Sequence, residues 1–134
     1  MDLSQLEDLK KKLVTAKDLS EVGNYFFDHL GEDSDFLDLG KPGRNAVLEA
    51  FIAALGRQLC GGKCTITKLL LIQVPGTHFI HGGCFLNGRL ANVIYFDDIE
   101  VGLLCLVPTK PGGDTVFSRF SAQALPAEAM TSKN

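Results

Sequence analysis

Charge of either sign in excess is missing from this chain: its formal net charge is −3. Apart from Lys10, Lys11 and Lys12 the bases are scattered, so no basic field exists for a polyphosphate, and nucleic acid and anionic membrane surfaces are poor partners. Long hydrophobic runs are missing too; none approaches the ~20 residues that a membrane-spanning helix needs. The opening Met1-Asp2-Leu3-Ser4 begins an amphipathic charged segment and not an apolar export signal, so a cytoplasmic protein is expected. Paired CxxC knuckles are absent, and Cys60 and Cys64 are separated by three residues and not two. The four cysteines are therefore expected as reduced, commonly buried thiols, without a metal or a cofactor.

What is present suits one folded domain. Apolar residues make up 46% of the 134 and charged residues 22%, a balance that can offset chain entropy with a single core. We expect an α+β domain over 1–125, three N-terminal helices packed on a roughly five-stranded antiparallel meander, and a flexible tail over 126–134. Leu3, Leu6, Leu9 and Leu13 recur at helical spacing, predicting a first helix to about Ala16. Asp18 with Glu21 three residues on resembles a capping box and opens a second helix over about 19–30, with Gly31 as its stop. The acidic stretch Glu32 to Asp38 reads as a solvated loop with one short extended piece at Phe36-Leu37; it lacks the glycine and terminal glutamate of an EF-hand. A third helix runs from about Arg44 to Leu59. Its only charge between Ala46 and Leu55 is Glu49, so it is expected to be the central and most buried helix. The Gly40-Lys41-Pro42-Gly43-Arg44 lead-in places cations beside free amide groups but is no P-loop, since no strand runs into a Gly-Lys-Ser/Thr turn.

From Thr65 the pattern becomes β-branched and aromatic runs split by turn residues. Asn87-Gly88 is the sharpest of these signals, because a two-residue type I′ turn needs positive φ at both positions. If Leu86 then pairs with Arg89, period-two counting puts Phe85/Leu90, Gly83/Asn92, His81/Ile94 and Phe79/Phe96 on one face, the one expected to meet the helices. The other face carries Cys84/Ala91, Gly82/Val93, Ile80/Tyr95 and His78/Asp97.

Between Leu69 and Pro108 the only charged side chains are Arg89, Asp97, Asp98 and Glu100, and large apolar residues point both ways. A half-wet antiparallel sheet would alternate apolar with polar, so something must cover the second face. A homodimer partner laid sheet to sheet is the favoured cover. A curved sheet or a helix crossing to the far side, and a pocket holding a small apolar ligand, account for the same surplus.

Three sets of chemistry-bearing residues follow. His78 opposite Asp97, with Tyr95 two residues along the same face, would give an oriented imidazole for acid–base work, against the simpler reading of a cross-strand pair near a sheet end. No motif places Ser118, Ser121 or Thr77 as a nucleophile beside them. Phe79, His81, Ile94 and Phe96 would line a pocket if the sheet curves. A zinc site would need His78, His81, Cys84, Cys60 and Cys64 to converge, yet His78 and His81 alternate across the strand, so a bulge at Gly82-Gly83 would be required.

The order of two helices, the Gly43-Arg44 lead-in to an apolar third helix and consecutive long strands resembles the NTF2-like cone-shaped fold. That resemblance implies a curved sheet around a pocket and dimerisation through the outer sheet face; it assigns no site residue. The chain departs from it in carrying five strands after the third helix where that fold has four. The favoured function is a non-enzymatic homodimeric binding or interaction module, and the competing one a small pocket-containing enzyme or small-ligand-binding protein.

Overall fold

A computed structural model describes residues 3–31, 42–43, 46–59, 65–73, 76–108, 110–121 and 129–133. Helix α1 spans Leu3–Thr15 and buries Leu6, Leu9 and Leu13, the spacing that marked it. Helix α2 spans Leu19–Phe26 and opens into a wider π-helical turn over Phe27–Gly31. Its cap is Asp18, whose carboxylate accepts from the Ser20 amide at 3.0 Å and the Ser20 hydroxyl at 2.6 Å. Those two bonds hold Asp18 below the usual carboxylate range. Helix α3 spans Ala46–Leu59. No described helix is long and apolar enough to cross a membrane.

The sheet is antiparallel throughout and its strands lie side by side in chain order. Five long strands form the expected meander: β2 (Ile66–Gln73), β3 (Phe79–Leu86), β4 (Arg89–Phe96), β5 (Val101–Leu106) and β6 (Asp114–Ser121). Two short ones extend its edges, β1 (Pro42–Gly43) beside β2 and β7 (Ala129–Lys133) beside β6. Residues 129–133, expected within a fraying tail, are thus an edge strand; β6 offers an unpaired row of amides and carbonyls that an extended segment of any composition can satisfy. The β3–β4 register follows the Asn87-Gly88 turn, with Leu86 against Arg89 and Phe79 against Phe96. Both turn residues have positive φ, 51° and 76°.

Two cores flank the sheet, and this arrangement answers the question of the second face. On face one, Leu6, Leu9 and Leu13 of α1 and Leu19, Val22 and Phe26 of α2 pack with Phe79, Ile94, Phe96, Leu103, Cys105 and Phe117. On face two, Leu48, Phe51, Ile52 and Leu55 of α3 pack with Ile80, Cys84, Leu86, Val93, Leu104 and Phe120. The cover predicted to be a second copy is the chain's own third helix, which crosses to the far side. The Phe51 and Phe120 rings meet at 5.1 Å between centroids, which fixes helix to sheet. Helix α3 is not the central helix expected from its apolar character. Its outer side carries Ala50 and Arg57 in solvent with Ala53 and Ala54 half-buried, and alanine loses little by facing water.

Two further features position the face-one layer. Arg119 on β6 reaches α1, donating from Nη1 to the carbonyls of Leu13 at 2.8 Å and Ala16 at 3.1 Å. That guanidinium satisfies carbonyls which the end of a helix leaves open and matches its negative pole. Helix α2 lies so close to β6 at Gly23 that an added Cβ would fall 2.3 Å from Phe117 Cε1. Strand β2, meanwhile, carries a bulge between Thr67 and Leu70, with Lys68 at φ 56°. The extra residue changes the strand's phase, so that Leu71 faces α3 while Leu70 joins the row on face one.

Candidate functional site

His78 precedes β3 and Asp97 follows β4, and the Asp97 amide donates to the His78 carbonyl at 3.0 Å where the ladder ends. Their side chains meet, with His78 Nδ1 2.8 Å from Asp97 Oδ1. Gln73 Nε2 lies 3.4 Å from the other carboxylate oxygen and donates to the Thr77 carbonyl at 3.0 Å. The imidazole is 67% exposed and borders a cleft of about 140 Å³ against α1, where Glu7 and Lys10 face Thr77 and Asp98. Lys10 Nζ is 2.5 Å from Asp98 Oδ2. The hydrogen bond from Lys10 draws the Asp98 carboxyl below its ordinary range and raises the ammonium in return.

Tyr95 does not join this pair. It is buried against Phe120 on the α3 side, rings parallel with centroids 5.9 Å apart, and burial pushes its phenol up, helped by the charges of Glu100 and Asp97. Thr77 Oγ1 accepts from the Phe79 amide at 3.1 Å, a bond that serves the turn. Ser118 is fully buried on face two, and among the described residues its hydroxyl finds no hydrogen-bond partner. The His78–Asp97 pair is thus assembled with no hydroxyl or thiol set beside it among the described residues.

Of the residues expected to line a pocket, Phe79 and Phe96 border the cleft of about 140 Å³ beside His78, and all four are largely core. Phe79, Ile94 and Phe96 are buried in the face-one core, and His81, 3% exposed, stacks on Phe79 with centroids 5.9 Å apart. The reason is that Phe26 of α2 and the α1 leucines fill the space above them. Ile94 borders only a void of about 10 Å³, at the lower limit for one water. Among the described residues no three His, Cys, Asp or Glu gather as a metal site. Cys60 and Cys64, and the acidic stretch Glu32 to Asp38, lie outside the described residues.

A larger opening lies further along the same row of β4. Counting back from Phe96 and Ile94 on face one gives Asn92 and then Leu90, beyond the reach of α1. Here a groove of about 370 Å³ opens between the end of α2 and strands β4 to β6. Phe27, from the π-helical turn, and Phe117 form its aromatic walls. Leu90, Val107 and Pro108 border it toward the β3–β4 turn, with Asn24 on the helix side and Thr115 on β6. Asn92 and Cys105, which pair across β4 and β5, make its floor. Among the described residues the Asn92 carboxamide makes no hydrogen bond. Burial pushes the Cys105 thiol up to about 11 against a smaller opposing pull from Arg89, so this sulfur is a neutral floor and not a nucleophile. A polar amide inside an otherwise apolar row was visible in the sequence as the Gly83/Asn92 pair. Its meaning needed the placement of α2.

The chain matches no family model, no curated protein and no solved structure.

Proposed function

We propose that this chain is a non-enzymatic binding module that takes a small, largely apolar ligand in the groove between α2 and strands β4 to β6. The observation that supports this reading is the groove itself: about 370 Å³, walls that are apolar apart from Asn24 and Thr115, and the Asn92 amide on its floor. Small-molecule sites characteristically combine an apolar lining with a few placed polar groups in volumes of ~300–1,000 Å³. With α1 and α2 on one face of the sheet and α3 on the other, this reading needs no second copy as a cover. Among the described residues, Leu90 at 41% exposure lines the groove, which suits its mouth, and Leu70 at 46% stands two strands away in the row of Gly83 and Asn92. The two described cysteines, Cys84 and Cys105, are free buried thiols, which suits a reducing compartment such as the cytoplasm.

The test is saturable binding of the neutral fluorophore N-phenyl-1-naphthylamine. At a typical ligand efficiency, one site per chain with a Kd of about 10–100 µM is expected. Leu90→Trp, which fills the mouth from an exposed position, should weaken it at least about tenfold while far-UV circular dichroism stays unchanged. Absence of saturable binding, or indifference to Leu90→Trp, overturns the reading.

A second reading, an acid–base enzyme centred on His78, is favoured by its 2.8 Å approach to Asp97 beside the α1 cleft. Hydrolysis of a panel of p-nitrophenyl esters by wild type and His78→Ala separates the two, since equal rates remove the second.

A further inference from the structure

Resting on the groove reading above, we infer that the ligand is a neutral molecule carrying an amide-type edge, a donor next to an acceptor as in a carboxamide, lactam or imide, joined to an apolar body. Three observations point there. Among the described residues no charged side chain lines the groove, so a carboxylate, phosphate or ammonium would shed its water without a counter-charge from that lining. Its floor presents Asn92, whose carboxamide offers a donor and an acceptor side by side and makes no hydrogen bond among the described residues. Asn92 also sits on a central strand between β3 and β5, so the amide is held by a rigid support rather than by a loop. A plain hydrocarbon would bury that carboxamide unsatisfied, whereas a second amide edge satisfies both of its sides in one paired contact. The aromatic walls, Phe27 and Phe117, then take the flat or aliphatic remainder.

The experiment uses three probes of one shape, 2-naphthamide, 2-naphthoate and naphthalene, each titrated into the whole chain by displacement of N-phenyl-1-naphthylamine and by amide chemical shifts. Wild-type protein should bind 2-naphthamide at least about tenfold tighter than either of the others, the scale of one or two well-made hydrogen bonds. Asn92→Leu should remove that preference while holding or tightening naphthalene binding, and Asn92→Thr, smaller and still able to hydrogen-bond, should give an intermediate preference. Because the ligand series is read on wild type, a poorly folding variant leaves the comparison intact. Naphthalene bound as tightly as the amide, tighter binding of the naphthoate, or an amide preference that survives Asn92→Leu overturns the ligand class and leaves the groove as a binding site. No binding of any probe overturns both.

Discussion

Leu55→Ala tests whether α3 is the true cover of the second sheet face. Leu55 is 0% exposed and belongs to the core that joins α3 to Leu71, Leu86 and Leu104. The neighbouring turn of α3 rides directly on the sheet, since a Cβ added at Gly56 would stand 3.0 Å from Leu86 Cδ2. Removing a fully enclosed leucine side chain costs its transfer free energy plus a cavity term, together about 3 kcal/mol within a range of ~2–5. With a urea slope of about 2 kcal/mol/M for a chain of this size, the midpoint should fall by roughly 1.5 M. Val14→Ala, on α1 at 55% exposure, is the control and should stay within ~0.5 kcal/mol. Equilibrium urea unfolding at two protein concentrations tenfold apart supplies both readings. If the cover is intramolecular, the midpoint is the same at both; a cover supplied by a second copy would shift stability by about 1.4 kcal/mol per decade. A Leu55→Ala cost under about 1 kcal/mol, or a midpoint that tracks concentration, refutes the assignment of α3.

Two further perturbations follow from titrating groups. Burial pushes Cys84 and Cys105 each up to about 11 from an ordinary 9.0, so above pH 9 the unfolded chain releases thiol protons that the native one keeps. Stability should be at its full value below pH 9 and decline toward pH 11, by up to ~1.4 kcal/mol per pH unit for each thiol, and Cys84→Ala/Cys105→Ala should flatten that limb in urea titrations. In iodoacetamide mapping at pH 8 both thiols should stay unlabelled until the chain unfolds. At the acid end, Asp98 is held below its ordinary carboxylate range chiefly by the hydrogen bond from Lys10, so its contribution is present above that range and vanishes as pH falls through the native value. Asp98→Asn should flatten the acid limb of the stability profile and cost less than ~1 kcal/mol at pH 7, because the pair lies near the surface.

Much of this fold could be read from residues taken a few at a time. The Asn87-Gly88 turn set an entire hairpin register, and Leu6, Leu9 and Leu13 marked the buried stripe of α1. The two-sided apolar character of the strands correctly announced two covered faces. The identity of each cover was not available, because an apolar stripe on α3 specifies that it must be buried and not which surface of the sheet will bury it. Part of the two-sidedness was also a phase jump. Leu69-Leu70-Leu71-Ile72 straddles the end of the bulge at Lys68, and a bulge leaves no period to count. The short edge strand at Ala129–Lys133 escaped for the opposite reason, since its partner's open edge, and not its own pattern, brings it into line. At the candidate site the sequence paired His78 with Asp97 across the strand ends, where local register decides proximity. It put Phe79, His81, Ile94 and Phe96 around one pocket, whereas Phe79 and Phe96 border the α1 cleft and Phe26 packs over Phe79 and His81. The groove at Asn92 depends on where α2 stops and widens, a tertiary fact with no local signature.

One consequence of the layered arrangement concerns how the chain comes into being. A ribosome that has released the first sixty residues has made all three described helices and none of the five long strands they are to shield. Neither helical layer can settle until the meander exists, and the pairings that join α1 to β5 and β6 span most of the chain's length. Acquisition of the native state therefore waits on distant closures, which makes it slow. A nascent or truncated product that holds the helices without the strands, or the strands without the helices, presents bare hydrocarbon to the cell and becomes a natural client for chaperones.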